Sequence, residues 1–147
     1  TKAGCYVLDR MRAPVTVFCE GLATGLAVYQ AASQARVVIC FNSGNLLPVI
    51  ERLKPIGSVV IAADNDSDTE DRTGVNHGLK AATQAAELVG AGVAWPEGIN
   101  GTDWADALAD WAEAPDETTG RGGRRPHALI QRAILAKARI VHHAQPP

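Results

Sequence analysis

Three short acidic elements carry the residue types from which a reaction could be built: Glu20-Gly21, Asp64-Asn65-Asp66 and Thr102-Asp103-Trp104-Ala105-Asp106. Carboxylates brought close together repel one another unless protons or cations intervene. Hard oxygen donors around an open site suit Mg²⁺ or Mn²⁺, which keep waters and accept phosphate oxygens. In phosphoryl chemistry such ions activate the attacking oxygen and stabilise the leaving one. A glutamate just off the metals is suited to proton transfer. Each element alone has an ordinary explanation. A Glu-Gly after a strand usually makes a turn, and residues 64–71 hold five acids in eight, as a solvated surface loop does. Three such elements at three successive strand ends are harder to assign to chance.

Competing chemistries fail on detail. Counted as a calcium loop from Asp64, the sixth residue is Thr69 where glycine is needed, and the twelfth is Val75 where glutamate is needed. The chain has neither a phosphate-binding GxxxxGK[ST] nor a GxGxxG after its first strand. Ser43 lies in FNSGN, which lacks the GxSxG nucleophile turn. An aspartyl phosphatase would use Asp64 and Asp66 but leave Glu20 and the 102–106 element unexplained.

The elements that must position these acids are legible as alternation. Strands are expected at Val15–Cys19 (VTVFC) and at residues 36–41, 58–63 and 92–95. Helices are expected at 21–33, 45–53, 75–89 and 103–111, with Pro48 tolerated in a first helical turn. Strands apolar on both faces and separated by helices imply a parallel sheet covered on both sides. The expected fold is α/β, a Rossmann-like parallel four-stranded sheet flanked by helices. Ligands in such sheets bind beyond the carboxyl ends of the strands, where strand order reverses. If the first and third strands are neighbours, Glu20, Asp64 and Asp66 converge there, and Asp103 and Asp106 join from the next loop.

Composition sets the outer bounds. Hydrophobic residues make up 46% and charged residues 20%, enough for one packed domain over 1–114. Residues 115–125 then read as a basic, Gly-rich linker, and 126–147 as a C-terminal helix and tail, the helix over 126–141. Residues 1–115 carry 8 Lys/Arg against 14 Asp/Glu, whereas 116–147 carry 6 against 2. The basic tail can touch nucleic acid, but a net charge of −2 leaves the chain no global electrostatic footprint for it. Three cysteines without CxxC spacing suit a reducing cytoplasm, and no apolar run approaches the ~18 residues that span a bilayer, so no membrane partner is expected. A chain opening on Thr1 is expected to be a piece of a longer protein.

The strings VFCEGLATGLAVYQA, VVICFNSGNLLPVI, VVIAADND and GTDWADAL resemble the Toprim segment of plasmid and phage primases and primase–helicases. The order Glu-Gly, Asp-x-Asp and a final acidic element is similar to the Toprim layout over roughly residues 14–114. The resemblance implies metal-dependent synthesis of short RNA primers on single-stranded DNA from nucleoside triphosphates, with a replicative helicase or other domains of the same chain as partners. It makes Glu20 the general acid/base and Asp64, Asp66, Asp103 and Asp106 the metal ligands. Gly21, Gly44, Asn45 and Lys80 are expected at the rim or against substrate. Arg72, Lys80, Arg121, Arg124 and Arg125 are then the candidate basic contacts to the template. Many relatives carry an acid a few residues after the Glu-Gly, where this chain has Leu22, Ala23 and Thr24. A Toprim nuclease, cutting DNA with the same metals, and a non-catalytic DNA- or partner-binding module are the alternatives. A topoisomerase fits least, for want of room for a tyrosine-bearing domain.

Overall fold

Alternate residues of Val15–Cys19 enter opposite faces of a sheet, and both faces are buried. In the computed structural model, which describes residues 3–66, 74, 76–113 and 126–141, this segment (β2) is the centre of the molecule. The strands are β1 (Tyr6–Leu8), β2, β3 (Ala35–Ile39), β4 (Ser58–Ala62), β5 (Gly92–Ala94) and β6 (Arg139–Ile140). The helices are α1 (Leu22–Ala31), α2 (Leu46–Leu53), α3 (His77–Val89), α4 (Trp104–Glu113) and α5 (Pro126–Lys137). A short 3₁₀ turn, Ser43–Asn45, leads into α2.

The sheet runs β1-β3-β2-β4-β5. β3, β2, β4 and β5 are parallel, as the alternating pattern predicts. Strand order reverses between β2 and β4, where Cys19 pairs opposite Ala62. Val15, Val17 and Cys19 share one face with Val28, Trp104, Ile130 and Ile134, under α1, α4 and α5. Phe18 shares the other with Val49, Ile50 and Ala82, under α2 and α3. Pro48 does stand in the first turn of α2. Asn76 caps α3 by accepting the Leu79 N–H at 3.2 Å, and Gly90 ends it in a left-handed conformation at φ 77°. Among the described residues no helix is long and apolar enough to cross a membrane.

Two short antiparallel strands extend the expected four. β1 pairs with the outer edge of β3. It is three residues long and largely exposed, so no buried alternation announces it. β6 corrects the expectation of one helix over 126–141. β5 pairs with only Val60, Ile61 and Ala62, and the open edge at Ser58 and Val59 is filled by Ile140 and Arg139. An unpaired sheet edge is costly when buried, so pairing overrides the local preference of an Ala/Lys/Arg-rich segment for helix. Ile130 and Ile134 bring α5 onto the core with no exposure. Gly92 makes the approach feasible, since a Cβ there would collide with the Lys137 carbonyl.

Burial of this kind makes α5 part of the core. Ile134→Ala is expected to lower unfolding free energy by roughly 2–5 kcal/mol in urea titration. A midpoint equal to that of the parent chain would show that α5 contributes nothing to the core.

Candidate functional site

The β2–β4 pairing sets Glu20 beside the segment Ala63–Asp66, because each stretch continues past paired strand ends. A backbone bond from Asn65 N–H to the Thr102 carbonyl, at 2.6 Å, draws in the loop before α4. Glu20, Asp64, Asp66 and Asp103 are all partly buried. Burial and then the Asp66 charge push the Glu20 carboxyl above its usual range. Asp64 is raised from 3.8 to about 6, mainly by burial. A hydrogen bond from Thr24 opposes that rise, while Glu20, Asp103 and Asp66 reinforce it.

Asp66 and Asp103 are seated on helix ends. The Gly78 N–H donates to Asp66 Oδ2 at 2.9 Å, so the first turn of α3 faces that carboxylate. Asp103 Oδ1 accepts the Asp106 N–H at 2.8 Å, and Asp106 Oδ2 accepts the N–H groups of Asp103 at 3.3 Å and Thr102 at 2.9 Å. This reciprocal arrangement is a capping box at the start of α4. Asp106 therefore reaches the site loop with one oxygen committed to shaping it.

Four further residues belong to the site although their types alone do not mark them. Thr24, 1% exposed, accepts the Trp104 N–H at 3.2 Å and donates to Asp64 Oδ1 at 3.0 Å. With its acceptor side occupied by an N–H, the hydroxyl directs its single proton to the carboxylate. Trp104, fully buried, donates its indole N–H to the Ala63 carbonyl at 3.1 Å. Asn65 donates to the Pro96 carbonyl at 3.0 Å and accepts from Asn76 at 2.8 Å, which joins three loops. Gly78 leaves room for two neighbours, since a Cβ there would stand 2.9 Å from Asp66 Oδ2 and 3.1 Å from the Asp64 carbonyl oxygen. The available signals are a hydroxyl four residues after Glu20, an amide between two acids and a buried Trp between two others.

The remaining expected residues are dispersed. Gly21 caps α1 in an extended conformation at the rim. Gly44 is exposed in the 3₁₀ turn. Asn45 is buried and holds the N-terminal segment: it accepts from Ala3 N–H at 2.9 Å and donates to the carbonyls of Gly4 at 2.7 Å and Cys40 at 3.1 Å. Its amide is thus engaged by backbone. Lys80 is exposed on α3 and lines an open groove of about 500 Å³ with Asn76, Leu79 and Thr83. Arg72, Arg121, Arg124 and Arg125 lie outside the described residues.

Among the described residues no three of these acids close into a metal cage, and no lysine or arginine forms an ion pair with them. The donor set nevertheless has the chemistry of a Mg²⁺ or Mn²⁺ site. It offers only hard oxygens, and its central carboxylate, Asp64, is raised to about 6 by burial and then by the neighbouring acids. Mg²⁺ is commonly held through one or two carboxylates with the other positions filled by water and phosphate.

The family described as Toprim domain matches residues 15–113 of the chain. The DNA primase TraC of Escherichia coli is 40% identical over 103 residues, which cover 65% of this chain and 10% of that primase. The chain thus spans about a tenth of the length of the curated relative it matches. No solved structure matches it significantly.

Two outcomes test the geometry. Because the folded Asp64 carboxyl holds its proton up to about pH 6, the metal-free chain loses stability as pH rises from 3.8 to that value. Asp64→Asn should therefore stabilise the metal-free chain at pH 7, by on the order of 1 kcal/mol after allowance for solvent screening, and not below pH 4. Urea titration at both pH values checks the sign. Thr24→Val should weaken Mn²⁺ binding by roughly 10–100-fold and Thr24→Ser should restore it, as read by calorimetry. Equal affinity in all three chains would remove Thr24 from the site.

Proposed function

This chain belongs to the Toprim family, and from that premise we propose that it is the catalytic Toprim segment of a DNA primase. Its reaction is metal-dependent nucleotidyl transfer, which makes short RNA primers on single-stranded DNA in plasmid or phage replication and transfer. One observation carries the proposal: Glu20 after β2, Asp64 and Asp66 after β4, and Asp103 before α4 are neighbours where strand order reverses, in a chain 40% identical over the matched segment to a DNA primase.

Asp64 and Asp66, with Asp103 alongside, would hold Mg²⁺ or Mn²⁺. Divalent ions bound there supply charge neutralisation for a triphosphate and activation of a primer 3′-oxygen. The protein's own part is positional and protonic. Thr24 orients Asp64, the Gly78 N–H orients Asp66, and the capping box fixes Asp103. Glu20 has its carboxyl raised by burial and then by Asp66, which suits proton transfer at the reacting oxygen or leaving group. Asp106 shapes the loop that presents Asp103.

An acidic rim does not grip a polyanion by itself. The template is therefore held by basic groups elsewhere, for which Arg72, Lys80, Arg121, Arg124 and Arg125 are the candidates, and by other domains of the full-length protein. A replicative helicase is the expected partner, and the cytoplasm the expected compartment. A Toprim nuclease would use the same acids with water as nucleophile.

Glu20→Gln in the full-length protein should lower primer synthesis by about 10²–10⁴-fold with the melting temperature kept. Incorporation of labelled ribonucleotides on single-stranded DNA is the measurement. Unchanged synthesis would remove Glu20 from catalysis. Metal-dependent DNA cleavage without nucleotides, and with no extension, would replace the primase assignment by the nuclease one.

A further inference from the structure

Phe41 combines features that oppose one another energetically. Its side chain is 59% exposed, and its backbone is left-handed at φ 70°. A bulky aromatic residue in that conformation is strained, whereas glycine or asparagine adopts it readily. With more than half of the side chain exposed, little packing offsets the strain. Strain that persists without a packing benefit points to function.

Its position says which function. Phe41 follows β3 by two residues, at the carboxyl end of the sheet where Glu20 stands. Cys19 pairs opposite Ile39, and the Cys40 N–H donates to the Cys19 carbonyl at 2.9 Å, which sets Phe41 near the Gly21–Leu22 turn. Leu22 is itself 54% exposed. Phe41 also lines a cavity of about 330 Å³ with Gly4, Cys5, Asn42 and Asn45. Phe41 and Leu22 thus leave exposed apolar surface on the strand-end loops next to Glu20. The complementary ligand is flat and apolar at one end and carries phosphate at the other, to meet cations held by those acids. A nucleotide unit has both ends.

We propose that Phe41 is a stacking platform for the nucleobase of a nucleotide bound at the carboxylate rim. The inference rests on the primase reading and names a base contact that the acids do not supply. Aromatic side chains accept any base on their faces, which suits a site that must read changing templates. The base can belong to the DNA strand or to an incoming nucleoside triphosphate.

The chain contains two phenylalanines, and Phe18 is wholly buried, so fluorophenylalanine labelling gives one reporter and one internal reference. In Mg²⁺, a short oligothymidylate and ATP are titrated separately. The ¹⁹F signal of Phe41 should move while that of Phe18 stays, and the probe that moves it identifies the source of the base. Phe41→Gly should weaken that probe's binding by roughly 5- to 100-fold, with the thermal midpoint held or raised because glycine relieves the strain. Phe41→Tyr should retain binding. A stationary Phe41 signal with both probes, or parental affinity in Phe41→Gly, overturns the platform. A parallel Mn²⁺ titration separates the two claims. Mn²⁺ bound at the rim with Phe41 silent defeats the platform alone, whereas a responsive Phe41 without Mn²⁺ binding defeats the metal-dependent reading alone.

Discussion

Like charges gathered at the β2–β4 crossover are the constraint on which the rest of the molecule depends. Neighbouring parallel strands leave their ends close together, and here those ends carry Glu20, Asp64 and Asp66. With the carboxylates partly withdrawn from water, repulsion is felt more strongly than on a surface. Burial first, and the neighbouring acids after it, raise the Asp64 and Glu20 carboxyls. A sheet buried on both faces supplies the stiffness to hold such a cluster, since β2 and β4 are packed between two helical layers.

Around that cluster the backbone supplies what side chains do not. The start of α3 offers an N–H to Asp66, and the start of α4 is closed by Asp103 and Asp106 in reciprocal fashion. Helix amino termini carry partial positive charge, so each of these ends lessens the cost of a carboxylate beside it. Thr24 then couples α1 to both Asp64 and the first residue of α4. Displacement of any one element would be felt by the acids on the others.

The parallel strands and their helices were legible because β-branched runs and Ala/Leu-rich stretches differ in period, and because each buries a full face. The acids were legible as candidates because strand ends could be located, and topology then brought Glu20 and Asp64 to one place. The supporting residues could not be read in that way. Thr24 meets Asp64 across 40 residues and Trp104 across 80, and a threonine in LATGL reads simply as helix. Asn45 shows the converse. Its place after a strand suggests an exposed rim group, yet its amide is taken up by the backbone of Gly4 and Cys40. β1 and β6 are invisible locally because two or three residues carry no period, and only the open edges of β3 and β4 give them a reason to exist.

The two antiparallel edge strands give the domain a direction. β1 runs against β3 with Tyr6 opposite Ile39, so the chain reaches β1 from the carboxylate pole, where Asn45 tethers Ala3 and Gly4. β6 runs against β4 with Ile140 opposite Ser58, and the Val141 N–H donates to the Gly57 carbonyl, so the chain leaves β6 at the opposite pole. A module joined closely upstream of Ala3 would start from the same pole of the sheet as the acids. A module joined closely downstream of Val141 would start from the opposite pole, away from the mouth of the site.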